Sequence, residues 1–329
     1  MFMSHRRYSK VKGRSGNEKK KFDLKNYDSR AAEKDIWILH RLIIRQGLEN
    51  IEEINAFYSQ ALASNMVNNF KPETDEERAQ LLAYEAFGKR GVERRNMALQ
   101  ALEVSQNCTD AYVILAEMEK DNNQRIELYS KGVEGAEKVL DKELFQTEKG
   151  HFWGIIETRP YMRGQVGLAV ALWNSGEFKK AQKIYELLLQ LNPGDNQGNR
   201  YSLLSLYLYQ KEFKKAENLI GQYDEDSAEW NYNSALLLFL TSGITLKSKN
   251  ALRKAFNQNH YVPVLLISDV KHIPVTDYIT PGEPDEAGAY ARVCRFLWIN
   301  DVKAAEWLAG EFTAYINNGG KGSGKFVHE

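Results

Sequence analysis

Apolar residues recur through most of the chain at the three- and four-residue spacing of amphipathic helices, and one of these patterns repeats. Phe178, Ala181, Tyr185 and Leu188 fall on one stripe of a helix, and Phe213, Ala216 and Ile220 form the same stripe later. The phrase Glu177-Phe-Lys-Lys-Ala181 returns as Glu212-Phe-Lys-Lys-Ala216, an interval of 35 residues from position 181 to 216. Ala251 lies the same interval beyond, with Ala255 and Pro263 after it. Self-similarity at this period predicts stacked helical hairpins. Ala169 and Ala181 stand where two helices of a hairpin would cross, and a small side chain there lets the backbones approach. Gly176 follows the first helix and is free to take a left-handed turn.

Within one period, residues 162–195 resemble the tetratricopeptide repeat (TPR), through Leu168, Ala169, Leu172, Gly176, Phe178, Ala181, Tyr185, Leu188 and Pro193. A second unit starts near Gln197 with Leu203, Leu204, Tyr207, Phe213, Ala216 and Ile220, and a third near Tyr232 with Leu238, Phe239, Ala251 and Ala255. The resemblance implies an all-α fold, a TPR-like α-α superhelix or solenoid of helical hairpins.

The flanks divide the rest. Residues 1–28 are expected to be a disordered basic tail, since they hold almost no aliphatic side chains to offset the entropy of ordering. Helices over Ser29–Gln46 and from Ile51 to about Met66 make residues 29–70 an N-terminal cap; alternatively Ile36 to Ile44 folds across the groove of the solenoid. Repeats then occupy 74–267, opened by the helix-start signal of Thr74 with Glu77. A proline-rich loop follows over 268–284, then a C-terminal capping hairpin over 285–317 and a flexible tail over 318–329. The glycine-rich run from Gly319 to Lys325 is not a phosphate loop, because Phe326 stands where Ser or Thr is needed and no strand precedes it.

Charge changes this picture at one end. The 44 basic and 44 acidic residues cancel overall, but residues 1–30 carry ten Lys or Arg against three acids. Residues 6–21 are thus a candidate for capture of a polyanion, either nucleic acid or an anionic membrane surface, or simply a solvated tail. Cys108 and Cys294 are far apart, which fits a reducing compartment rather than a disulfide framework. No secretory signal is recognisable, and no apolar run approaches the roughly 18 residues of a membrane span. A cytoplasmic protein is expected.

Candidate chemistry is sparse. The six histidines are scattered, no metal-ligand spacing occurs, and no cofactor is implied. His151 with Glu157, beside Arg159, is the one constellation a catalytic reading could use, and a structural carboxylate is the commoner explanation. Trp153, Arg159, Tyr161 and Arg163, in the irregular stretch before the best repeats, are types enriched at recognition hot spots; Trp153 and Tyr161 could equally plug a change of pitch. By the repeat register the first helices present Arg163, Val166, Val170 and Trp173, then Tyr201, Ser205 and Leu208, then Asn233, Leu236 and Leu240. That lining lacks the Lys and Asn of chaperone-tail clamps, which Val166 and Val170 replace, and suits an amphipathic helix or apolar peptide. The alternative is that the chain covers this groove itself.

Glu157-Thr-Arg-Pro-Tyr-Met-Arg163, then Leu191-Asn-Pro-Gly-Asp-Asn-Gln-Gly198 with Arg200 and Tyr201, resemble the suppressor-of-tumorigenicity-7 family and its bacterial TPR relatives. Tyr223-Asp-Glu-Asp226, Ala228, Trp230-Asn-Tyr232 and the run from Asn259 to Pro263 extend the likeness. It implies a helical-repeat fold with no established catalytic chemistry. It also implies a polar groove edge at Glu157, Arg159, Tyr161, Arg163, Asp195, Asn196, Gln197, Arg200 and Tyr201. Eukaryotic members carry hydrophobic membrane segments, and this chain has none. The expectation is a non-enzymatic adaptor binding a peptide or helix of a partner protein through Trp153, Glu157, Arg159, Tyr161, Arg163, Trp173, Asn196, Arg200 and Tyr201. The alternative is a nucleic-acid- or ribosome-associated protein tethered by its basic tail.

Overall fold

The computed structural model describes residues 28–268 and 279–321. The expected basic tail up to residue 27, most of the 268–284 loop and the tail from residue 322 onward lie outside the described residues. Everything described is helix, turn or irregular chain, with no strand, so the fold is all-α. The chain divides into two compact units that meet between Asn196 and Gln197.

In the first unit a 3-10 turn over Ser29–Ala32 leads into α1 (Glu33–Gln46), followed by α2 (Ile51–Ala63). Three hairpins come next: α3 (Asp75–Phe87) with α4 (Gly91–Val104), α5 (Thr109–Met118) with α6 (Asn122–Val139), and, after the short α7 (Leu144–Thr147), α8 (Arg159–Asn174) with α9 (Phe178–Leu191). Local signals set the starts. Thr74 Oγ1 accepts the Glu77 N–H at 3.2 Å, the Asp121 carboxylate accepts the Gln124 N–H at 2.9 Å, and Pro160 sits in the first turn of α8, where its missing N–H costs nothing. Helix α5 packs between α3 and α8, and α6 packs on α8, so hairpins stack in sequence order.

Alanines make the close approaches. Ala83, Ala98, Ala101, Ala111, Ala169 and Ala181 have no exposed surface. At the α6–α8 crossing the Tyr129 ring lies directly over Gly167, where a Cβ would fall 2.1 Å from Tyr129 Cε1. The irregular stretch before α8 folds on an aromatic cluster: the Phe145 ring meets Phe152 at 5.1 Å and Tyr161 at 5.2 Å.

The second unit holds α10 (Asn199–Tyr209), α11 (Phe213–Gln222), α12 (Ala228–Ser242), α13 (Leu246–Gln258), α14 (Val262–Ile267), α15 (Pro284–Ile299) and α16 (Val302–Asn317). Here α10 pairs with α11 and α12 with α13, while α15 packs on α10, α12 and α14. The hairpin turn repeats at the predicted interval: Gly176 has φ +77°, and Lys211, 35 positions on, takes the same left-handed region at φ 58°. Glu286 at the start of α15 accepts the N–H groups of Ala228 (3.0 Å) and Gly282 (2.7 Å) and Asn259 Nδ2 (3.1 Å). One buried carboxylate thereby fastens the start of α12 and the end of α13 to α15. Among the described residues no helix is long and apolar enough to cross a membrane.

Candidate partner-binding face

In the first unit the first helices of the hairpins, α3, α5 and α8, form one face, and the chain from Arg30 to Arg45 lies on it. Glu33, in the first turn of α1, takes Arg163 Nη1 at 2.6 Å and Arg159 Nη1 at 3.3 Å, both from α8. Arg30 reaches Glu117 of α5 at 2.5 and 3.0 Å, and Lys34 reaches Glu85 of α3 at 2.9 Å. At the other end of α1, Arg41 Nε meets Glu77 at 2.9 Å, and Arg45 pairs with the same carboxylate while stacking on the Phe70 ring at 4.6 Å. Trp37 packs edge-on to Phe70 at 5.8 Å and lies 5.9 Å from Tyr84 of α3.

The most buried charges on this face, Asp110, Arg163 and Glu77, each have a physical partner. Asp110 stands in the first turn of α5, where helix dipoles favour a carboxylate. It is fully buried, accepts Arg163 Nε at 2.9 Å and Nη2 at 2.7 Å, and takes Gln80 Nε2 at 2.8 Å. Burial would weaken the Arg163 proton, but Asp110 and Glu33 outweigh it and hold the guanidinium well above its ordinary value. Glu77 is only 4% exposed. Burial opposes its ionisation, yet the Glu73 N–H with Arg41 and Arg45 keeps its carboxyl below the usual value.

The residues expected from sequence to bind a partner divide between the two units. Arg159 also donates Nε to the Trp153 carbonyl at 3.1 Å and stacks over that half-buried indole at 4.9 Å. The histidine that reaches Glu157 is His40 of α1, Nδ1 to Oε1 at 2.5 Å, whereas His151 is exposed. Tyr161 is buried in the aromatic cluster and its hydroxyl accepts Gln165 Nε2 at 2.9 Å, so it acts in packing. Trp173, half-buried near the end of α8, meets Phe178 edge-on at 6.1 Å. Asn196 is exposed at the last position of the first unit.

Arg200 and Tyr201 belong to the second unit. Both engage Glu225: the Tyr201 hydroxyl donates at 2.7 Å, and the Arg200 guanidinium pairs with it while lying 4.5 Å over the Tyr201 ring. The inward positions of α10 and α12 are closed by α15. Ser205 Oγ lies 3.2 Å from Cys294 Sγ, and the Tyr290 hydroxyl donates to Asn233 Oδ1 at 2.8 Å while accepting Trp298 Nε1 at 2.8 Å.

Sequence reasoning missed Glu33, Asp110 and Glu77 as members of the first face. Asp110 carried a readable signal, an acid in the first turn of a hairpin's first helix, one turn before Ile114 and two before Glu117. Burial pushes the Cys108 thiol up to about 12 and Cys294 well above its ordinary value, so neither is poised as a nucleophile. Among the described residues no three His, Cys, Asp or Glu side chains are grouped as a metal site requires. No protein-family model matches the chain, and no curated protein matches it.

Proposed function

We propose that this protein is a non-enzymatic, TPR-like helical-repeat scaffold that binds a helix or peptide of a partner protein on the face formed by α3, α5 and α8. The observation that carries this reading is the way residues 30–45 rest there. A helix is held by paired charges at both ends, Glu33 with Arg159 and Arg163 and then Arg41 and Arg45 with Glu77, with Trp37 between them on Tyr84 and Phe70. Such a face has the chemistry of helix-in-groove recognition. Arg159, Arg163 and Glu157 are its polar contacts, and Trp153 supports Arg159 from behind.

The test is affinity capture from native lysate with cross-linking, comparing the whole chain with one whose Lys and Arg at positions 6–21 are replaced by Gln. A protein captured equally by both, and cross-linked to Lys34 or Lys71 rather than to Lys131 and Lys138 of α6, supports the scaffold. Capture of nucleic acid or ribosomal proteins that vanishes with the basic residues and falls steeply with salt favours the tethered alternative instead.

A further inference from the structure

Helix α1 is joined to α2 by a short turn. Its last residue is followed by Gly47 in the left-handed region, φ 63°, with open space around it. The next helix, α2, gives little anchorage, since Ile51 is 68% exposed and Ala61 is its only fully buried described residue. What holds α1 is one apolar stripe, Trp37, Ile38, Leu39 and Ile43, and the ion pairs at its two ends. Of the pairs α1 makes, Lys34 with Glu85 is solvent-accessible, and the Arg41 and Arg45 side chains that meet Glu77 keep 28% and 19% of their surface exposed. Exposed pairs of this kind contribute little net stability and are weakened by salt. By contrast the groups beneath, Asp110, Glu77 and Arg163, stay assembled through contacts of their own: Asp110 with Gln80 and Arg163, Glu77 with the Glu73 N–H.

We propose that α1 is a displaceable intramolecular occupant of the partner site, and that the partner is an amphipathic helix repeating its charge order. That order is a carboxylate in the first turn for Arg159 and Arg163, an aromatic with a neighbouring aliphatic one turn on for Tyr84 and Phe70, and arginines in the last two turns for Glu77. The inference rests on the scaffold reading and names its ligand. Charge complementarity sets the direction: a helix laid the other way would put arginines on Arg163 and a carboxylate on buried Glu77. A tethered occupant competes at an effective concentration on the order of millimolar, so a free helix binds the native chain weakly until α1 is released.

The experiment uses the full chain and a fluorescein-labelled peptide of residues 28–48, followed by anisotropy. The variant Glu33→Arg, Arg41→Glu, Arg45→Glu weakens the hold of α1 and leaves the face beneath unaltered. The variant should bind the peptide at least tenfold tighter than the native chain, and a peptide of the same composition with its charges reordered should not bind. Equal binding by a folded variant and the native chain overturns the proposal. Should the variant lose its helical circular dichroism, hydrogen exchange of the native chain decides. Amides of α1 exchanging at least about a hundredfold faster than those of α3 and α5 support displacement; equal protection overturns it. A captured partner cross-linked to the second unit while α1 proves fixed leaves the scaffold standing without this inference. A displaceable α1 with no protein captured removes the scaffold reading instead.

Discussion

Arg163 and Asp110 face each other across α8 and α5 in a two-pronged pair, Nε to Oδ1 at 2.9 Å and Nη2 to Oδ2 at 2.7 Å, with the aspartate wholly removed from solvent. Planar guanidinium and carboxylate suit this geometry, which lysine cannot reproduce. The pair lies beneath α1, and Glu33 of α1 completes it from above.

Breaking this pair from one side strands a buried charge. Arg163→Met should therefore destabilise the chain by about 3–5 kcal/mol in urea unfolding. Removing both charges, as Arg163→Met with Asp110→Leu, should be less damaging than the single change. Simple additivity of the two single substitutions would show that the charges are not coupled.

Acid should release α1 through Glu77. Its folded value lies below the ordinary 4.5, so the unfolded chain takes up the proton first. The stability this group supplies is complete above pH 4.5 and is lost as pH falls through the folded value. The difference in unfolding free energy between the native chain and Glu77→Gln should be largest near neutrality and shrink below pH 4.5. A difference that stays constant from pH 7 to pH 3 would contradict the assignment.

The crossing of α6 and α8 tolerates no side chain at position 167. In Gly167→Ala the added methyl would meet the buried Tyr129 ring at 2.1 Å, and overpacking of this kind costs about 1–3 kcal/mol. Tyr129→Leu placed in the same chain should relieve part of that cost, read as a rise in thermal midpoint over Gly167→Ala alone.

The all-helical architecture was legible because its signal is local. Phe178, Ala181, Tyr185 and Leu188 lie within one helix, and the capping threonine of α3 and the proline of α8 act within a turn of themselves. The covering of the α3–α5–α8 face was legible only as an alternative, Ile36 to Ile44 folded across the groove, and the contacts that make it were not. Glu33 and Arg163 are 130 residues apart, and His40 and Glu157 are 117 apart. A helix carrying Arg41 and Arg45 reads in isolation as having a solvated charged side, and only the fold supplies Glu77 opposite. Tyr161 gave a misleading cue for the opposite reason, since an aromatic beside two arginines looks like a contact residue until Phe145 and Phe152 enclose it.

The sequence distance between Glu33 and Arg163 also orders events at birth. A ribosome adds roughly 5–20 residues per second, so α1 leaves the exit tunnel on the order of ten seconds before the arginine that receives it exists. During that interval α3 and α5 are translated while the ion pair to α8 cannot close. Closing so long a loop is slow as well as late, which makes the joining of α1 to α8 one of the last steps in assembling the first unit. A nascent chain therefore passes through a stage in which this helix can meet α3 but not yet α8.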